Sequence, residues 1–433
     1  METYKYDVVI LGAGSAGLAA AYAVGRYSSK KIKIALIEKE LKPGKKLLAT
    51  GNGRCNLTNI NMSSAYYNET AREFLDKLIE RMNPQKLIDE FSSMGLLCRI
   101  DSEGRVYPYS NRATTVLDIF SLWIKKNGAD VFCGTKANEV TAIGGGYKIN
   151  CGDKMFIAKK LILSTGGAVQ PNLGSDGSSY RFAKQIGLKC SNIFPSLVPI
   201  SVSDKNIKIL KGVRAKARVK LKADGKIIAE EYGEVQFNEK NISGICIFQL
   251  SRYVNEWFVN KTISGTRFND ILIEIDLIPE YSHNDILQII DNRIKLFPGI
   301  LAKEMTNGVV HEKLGEYITK KIGIRPETKL SEITSKEKHM TADMLKSLTF
   351  KPTSPSDLDA AQVTAGGIAI DEIDGTFQSK KYPGLYIIGE ALDVDGKCGG
   401  YNLHFAFSSA ITASRCLTND KSSAPTLNYS ERH

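Results

Sequence analysis

At 433 residues, with 42% apolar and 24% charged side chains, the chain has the composition of a folded protein and the length of two or three domains, which excludes disordered and fibrous classes. Its net charge of +11 favours anionic ligands, dinucleotides among them, without naming one. Eight cysteines stand scattered at 55, 98, 133, 151, 190, 246, 398 and 416 with no C-x-x-C pair, which argues against a disulfide framework or structural zinc and for a reducing cytoplasm.

The chain opens on the apolar run Asp7-Val8-Val9-Ile10-Leu11 and passes into Gly12-Ala13-Gly14-Ser15-Ala16-Gly17. The small residues of Leu18–Val24 follow, then a second apolar run, Ile32–Ile37, that ends at Glu38. Strand, glycine turn, helix, strand and acid within about thirty residues make a dinucleotide-binding unit. Gly12 permits the tight turn, Gly14 lets a pyrophosphate approach, and Gly17 lets helix and strand pack closely. The phosphates rest on the helix N-terminus, and Glu38 accepts from ribose hydroxyls. Asp7, the glycines and the returning strand argue against a signal peptide, and no segment reads as a membrane span.

Lys42–Asn59 holds three glycines, several cations and three amide side chains, and reads as an ordered loop suited to a pyrophosphate or an isoalloxazine edge. Cys55, beside Arg54, is a candidate redox thiol without a resolving partner. Periodicity predicts helix over 69–97 and 112–126, then strands near 129–133, 136–143, 146–151 and 154–157. Gly144-Gly145-Gly146 is a hairpin turn, because no helix follows it as a phosphate loop requires. The strand Leu161-Ile162-Leu163 ends in Ser164-Thr165-Gly166-Gly167, at the kind of sheet edge where ligands bind. Gly174-Ser175-Asp176-Gly177 precedes a helix that Asp176 or Ser178 can cap.

The character changes at Phe194. Domains are expected at 1–193, 194–278 (a β-rich insert), 279–355 (a helical cap) and 356–433, the last rejoining the first. Arg214, Lys216, Arg218, Lys220 and Lys222 alternate with Ala215, Ala217, Val219 and Leu221, giving a half-buried strand with a basic outer face. That face suits nucleic acid or an acidic partner less well than it suits plain solvation. Near the end, the strand Leu385–Ile388 runs into Gly389-Glu390, and Gly399-Gly400-Tyr401-Asn402-Leu403-His404 aims a helix N-terminus.

The three glycine segments 12–17, 164–167 and 389–402 together resemble the two-dinucleotide-binding-domain flavoproteins. Those hold FAD by an N-terminal fingerprint, a central strand ending in Thr-Gly and a C-terminal strand ending in Gly-Asp or Gly-Glu. Gly53-Arg54-Cys55-Asn56, Val363-Thr364-Ala365-Gly366-Gly367, and Gly389-Glu390 followed by Gly399-Gly400-Tyr401-Asn402 are similar, more narrowly, to the BaiN-like (YhiN-type) bacterial flavoproteins, also described as aminoacetone-oxidase-like. The match runs over nearly the whole chain.

The resemblance implies an α/β fold: a Rossmann-like FAD-binding domain interrupted by a β-rich insert with a helical cap, the insert roofing the flavin ring and choosing the substrate. It implies that Gly12, Gly14, Ser15, Ala16 and Gly17 serve the FAD pyrophosphate and Glu38 the adenosine ribose. Val140 would meet the adenine, Arg54, Cys55 and Asn56 would lie near the flavin, and Thr165 and Gly166 would pack against the cofactor. Glu390 would lie near the ribityl–pyrophosphate region, with Lys39, Lys46, Gly53, Gly167, Gly367 and Gly389 as further contacts. Gly400, Tyr401, Asn402 and Leu403 would put helix N–H donors at the pyrimidine edge, where reduced flavin is negative. Two departures stand out: Ser243-Gly244-Ile245 where the family has Ser-Gly-Pro, and His404 where Gln is expected.

The expected activity is FAD-dependent reduction of an activated C=C bond, of the steroid or bile-acid enone type. With one complete dinucleotide fingerprint, NADH or NADPH is a transient electron donor rather than a resident. Arg54, Tyr401 and His404 are the candidates for the catalytic proton. Oxidation of a small amine such as aminoacetone, an RNA-binding or tRNA-modifying flavoprotein, and a non-catalytic FAD module are the alternatives. A small-molecule substrate is expected, with neither membrane nor nucleic acid as partner.

Overall fold

The computed structural model describes residues 1–418. The chain forms two compact units, one from residues 1–193 with those from Val363 onward, the other Phe194–Gln362. In chain order the first runs β1 (Glu2–Leu11), α1 (Ser15–Tyr27), β2 (Ile34–Ile37), α2 (Lys45–Ala49), β3 (Thr58–Asn59), α3 (Arg72–Arg81), α4 (Pro84–Ser93), β4 (Cys98–Ile100), β5 (Arg105–Pro108), α5 (Ala113–Lys126), β6 (Asp130–Phe132), β7 (Glu139–Ile143), β8 (Gly146–Cys151), β9 (Lys154–Leu163) and α6 (Ser178–Gln185). It resumes with the strand Leu385–Ile387 and the helix Tyr401–Thr418. The fold class expected from the sequence, a Rossmann-like α/β domain with a β-rich insert, is the one observed.

β1 lies inside a seven-stranded sheet because Val8, Val9, Ile10 and Leu11 are buried on both faces, as in a parallel strand covered by helices. β2 pairs with it in parallel on one side and β9 on the other. The β7–β8 hairpin pairs with the first half of β9, and Leu385–Ile387 pairs in parallel with its second half. Leu11, Ile37 and Ile387 are thereby in register with one another through β1 and Leu163. Three glycine segments far apart in sequence therefore leave the sheet at one edge.

Three local expectations need correction. The helix over 69–97 is two helices: Asn83 accepts from the Lys86 N–H and Pro84 begins the second, so the first cannot continue. Within Lys42–Asn59, Lys45–Ala49 forms a short helix anchored by the buried Leu47. The strands near 154–157 and 161–163 are the single strand β9, Lys154–Leu163.

α1, α4 and the helix Tyr401–Thr418 are joined by a buried carboxylate. Glu90 accepts from the hydroxyls of Tyr22 at 2.7 Å and Tyr27 at 2.6 Å, and from the Arg415 guanidinium at 2.9 Å. Arg415 also covers the Tyr27 ring, 4.4 Å from its centroid.

The second unit holds a six-stranded antiparallel sheet with α7 (Ile245–Asn260), α8 (His283–Leu296), α9 (Glu312–Lys321) and α10 (Ser335–Lys346). Ala217, Val219, Leu221, Ile273 and Ile275 of the sheet share one core with Leu250, Ile290, Tyr317 and Leu345 of those helices. The alternation at 214–222 is a strand, Arg214–Ala223, with its basic residues turned outward. They meet carboxylates on the adjoining strands: Arg214 with Glu234, Arg218 and Lys220 with Glu230, and Lys222 with Glu274. Among the described residues no helix is long and apolar enough to cross a membrane.

Candidate dinucleotide and redox site

At the sheet edge the chain turns sharply after Leu11. A Cβ on Gly12 (φ +94°) would lie 2.6 Å from the Ser164 carbonyl oxygen, and one on Gly17 only 1.8 Å from the Gly12 carbonyl oxygen. Ser164 fixes that approach by donating from Oγ to the Leu11 carbonyl at 2.7 Å. A Cβ on Gly14, in contrast, would meet nothing within 4 Å. Two glycines are there for packing and the third opens onto space. α1 starts at Ser15 with no side-chain cap, and its first N–H groups have no intrahelical acceptor. A diphosphate fits this cradle: room above Gly14, and uncapped donors at the positive end of a 13-residue helix.

Glu38 is buried beside this turn. Its Oε2 accepts from the Ala13 N–H at 2.7 Å and its Oε1 from the Glu40 N–H at 2.9 Å, which leaves a lone pair on each oxygen for a sugar hydroxyl. The Cys133–Thr135 backbone flanks it, with the Thr135 N–H donating to the Glu38 carbonyl. Val140 lies buried in β7, shortly after this segment. Lys39 is ion-paired with Asp176 at 2.7 Å.

Lys46, on α2, donates to both oxygens of Glu390, at 2.8 and 3.1 Å, and Glu390 Oε1 also accepts from the Thr364 N–H. Thr364 Oγ1 accepts from the Ala168 and Val169 N–H groups, which seats Gly167 against it. Thr165 Oγ1 shares a hydrogen bond with Ser179. Gly389 backs onto Ala16, and Gly367 runs against the backbone of Ala391–Asp393. These contacts join Lys46, Gly167, Gly367, Gly389 and Glu390 beside the same sheet edge.

A second cluster joins Gly51–Asn56 to the start of the last helix. A Cβ on Gly400 (φ +100°) would sit 2.5 Å from the Thr58 carbonyl oxygen and 2.8 Å from Asn56 Oδ1. Asn56 Oδ1 is itself buried and accepts no hydrogen bond, the state of an acceptor that a flat donor such as a flavin N–H would satisfy. Asn402 turns into its own loop, exchanging two hydrogen bonds of 2.8 Å with Gly396, so it shapes the turn. Leu403 is half-buried. Tyr401 packs on Tyr66, with centroids 5.0 Å apart, and the Tyr67 hydroxyl donates to its carbonyl.

The three proton candidates separate on chemistry. Arg54 is exposed and lies over the Tyr107 ring, 4.6 Å from its centroid. Burial pushes the Tyr401 phenol up to about 12, with Tyr66 adding to it, so the hydroxyl stays protonated at neutral pH. His404 is 1% exposed, its Nδ1 is 2.8 Å from Thr58 Oγ1, and burial pushes it down to about 4 against the pull of the Met82 backbone. It is neutral at pH 7 and holds β3 to the last helix. That arrangement favours a positioning role over proton delivery. The redox-thiol expectation for Cys55 is corrected: its thiol is wholly buried and burial pushes it up to about 12, which disfavours a thiolate. Thr58, Ser164 and Thr364, which carry these joints, have no signal in the sequence beyond a small polar side chain next to a glycine segment.

A prediction arises from His404. Its unfolded pKa is near the ordinary 6.5 and its folded one near 4, so between these values the unfolded chain binds the extra proton and stability falls as pH falls. The full span amounts to roughly 3 kcal/mol. His404→Gln is expected to remove that slope from urea denaturation curves between about pH 6.5 and pH 4, leaving stability at pH 8 little changed.

Residues 6–416 match the model of a family described as HI0933-like protein Rossmann domain. A 3-dehydro-bile acid delta(4,6)-reductase from Clostridium scindens is 30% identical over 407 residues, 94% of this chain and 97% of that one. A ribosomal RNA dihydrouridine synthase from Escherichia coli is 25% identical over 423 residues, 97% of this chain and 100% of that one. Among solved structures, 3-ketosteroid delta1-dehydrogenase from Sterolibacterium denitrificans has the same fold, with a TM-score of 0.51 at 12% identity over 96% of this chain and 99% of that one.

Proposed function

The chain belongs to the HI0933-like Rossmann-domain family, and from that premise we propose that it is an FAD-dependent oxidoreductase that reduces a carbon–carbon double bond conjugated to a carbonyl. The observation that carries this reading is the likeness, over 94% of the chain, to a relative named for removing such double bonds from a 3-oxo bile acid. The relative named as a dihydrouridine synthase makes a product whose formation saturates the double bond of a uracil ring, the same chemical change on another substrate. When bound, FAD supplies the hydride chemistry, taking hydride from NADH or NADPH and giving it to the substrate carbon.

The chain's own residues hold, orient and protonate. Gly14 and the first N–H groups of α1 hold the diphosphate, and Glu38 the adenosine ribose. Lys46, held by Glu390, places a cation beside the same turn. The N–H groups of Tyr401, Asn402 and Leu403 open the last helix and present donors where negative charge develops. Tyr401 keeps its phenolic proton and is the residue to deliver it to the second carbon of the reduced bond. The eight free thiols fit a reducing cytoplasm.

A second reading keeps the chemistry and changes the substrate: a uracil ring within RNA. The net charge of +11 and the ribosomal RNA enzyme among the relatives favour it.

The test is NAD(P)H oxidation under nitrogen with a 3-oxo-Δ4 steroid acid or a uridine-rich RNA as acceptor, with the saturated product identified by mass. Turnover with either acceptor is expected, and Tyr401→Phe should lower it by about a hundredfold while leaving the flavin spectrum in place. Consumption of NAD(P)H only when oxygen is admitted, with neither acceptor saturated, would overturn the reading.

A further inference from the structure

The small sheet β4–β5–β3 carries arginines and tyrosines on one face, with Tyr107 buried beneath Arg54 and Tyr109 open to solvent. Arg99 stands directly opposite Tyr107 in the antiparallel register, so both side chains lie on the same face, and Tyr109, two residues on, continues it. Arg54 covers the Tyr107 ring at 4.6 Å, and Arg99 covers the Tyr109 ring at 4.2 Å while donating to the Tyr109 carbonyl at 2.7 Å. Tyr109 is 61% exposed, so a ring with a cation beside it is open to solvent at the outer end. At the inner end Asn59, also on this sheet, donates to the Gly399 carbonyl at 3.0 Å, next to the Gly400 turn. This face thus begins at the candidate redox site and leads away from it within the first unit.

Its charge is not balanced internally. Among the described residues Arg54, Arg99 and the nearby Arg112 form no ion pair, whereas Arg105 in the same sheet is held by Asp101 and Glu103. The basic strand of the second unit, the more obvious polyanion candidate from sequence, has four of its five cations engaged with glutamates. Unbalanced cations beside one open aromatic ring fit a strand whose phosphates repeat beside a stackable base. A duplex would hide those bases, and a bile acid has neither a phosphate repeat nor a planar base.

We propose that the Arg54–Tyr107–Arg99–Tyr109 face is a track for single-stranded RNA, gripping nucleotides that flank a uridine presented at the Gly400 turn. This rests on the RNA reading of the site and names where the partner binds. Arg99 and Arg54 take backbone phosphates, and the open face of Tyr109 stacks a base.

The experiment is fluorescence anisotropy of a labelled uridine-rich single-stranded RNA with the FAD-loaded full chain, against duplex RNA and heparin as competitors. Wild type is expected to prefer the single strand over both. Arg99→Gln and Tyr109→Ser should each weaken it about tenfold. Arg99→Gln should also reduce the log–log salt slope by about 0.7, and Tyr109→Ser should leave that slope unchanged. Arg218→Gln, on the paired strand of the second unit, should bind as wild type. Visible spectra of all variants should match, which separates a lost track from a lost flavin. If a variant pair binds RNA as tightly as wild type, or heparin or duplex competes equally well, the track is refuted. A protein without flavin whose Arg99 and Tyr109 variants still lose RNA would uphold the track and sink the redox reading instead.

Discussion

Gly14→Ala is expected to fold like the native chain and fail to hold FAD, whereas Gly17→Ala is expected to weaken both cofactor binding and the fold. The contrast follows from what each new methyl group would meet. At Gly17 it would sit 1.8 Å from the Gly12 carbonyl oxygen and 2.8 Å from Ser164 Oγ, with backbone on one side and a hydrogen-bonded hydroxyl on the other. Neither can retreat without parting α1 from β1 at the centre of the sheet. A cost of about 3 kcal/mol, the upper end of ordinary overpacking, is expected. At Gly14 the methyl group would meet no protein atom, and the backbone (φ −78°, ψ −168°) is one that alanine adopts freely. The group would instead occupy the space above the helix N-terminus. FAD affinity should fall by about a hundredfold at unchanged melting temperature, the ~2.7 kcal/mol that one displaced phosphate contact represents. Thermal melts with bound-flavin absorbance on the two variants check both halves. If Gly14→Ala retained full affinity, the cradle would not be the diphosphate site.

The second large effect lies away from the site. Glu90→Ala should destabilise the first unit by about 3 kcal/mol, because it leaves a buried hydroxyl, a part-buried hydroxyl and a guanidinium without their shared acceptor. Arg415 is partly open to solvent, with 43% of its side chain exposed, which keeps the figure at the lower end of the range for broken buried pairs. Arg415→Met alone should cost less, since the two tyrosines still satisfy Glu90. Urea denaturation of both single variants and the double variant measures the coupling, expected at about 1 kcal/mol or more. Additive costs would mean that the three helices are held by packing alone.

How much was legible in the sequence depended on whether the cause was local. The Asp7–Glu38 unit was, because the spacing of its glycines and apolar runs is set by one turn and one helix. The alternation at 214–222 was equally plain as a strand, but its partners Glu230, Glu234 and Glu274 come from neighbouring strands. A face that looked basic from one strand is therefore mostly paired. Lys45–Ala49 was hidden by its setting: five helix-compatible residues between glycines looked like loop. The joints of the site were out of reach altogether. Lys46 meets Glu390 across 344 residues and Thr58 meets His404 across 346, and no period in the chain links either pair. His404 shows the consequence. Its place beside a glycine turn suggested a catalytic acid, and only its burial reveals a neutral histidine tying two elements together. The Arg99–Tyr107 opposition, too, exists only once β4 and β5 are paired.

The central claim is that the two chain ends build one FAD site that exchanges electrons with a nicotinamide. The most direct measurement is the visible spectrum of the purified protein, reconstituted with FAD if necessary, recorded under nitrogen before and after NADH or NADPH. The account predicts a bound flavin that bleaches with a nicotinamide and regains its colour when an α,β-unsaturated carbonyl or uridine-containing RNA is added. A protein that takes up no FAD, or whose flavin bleaches with small amines and never with a nicotinamide, would contradict it.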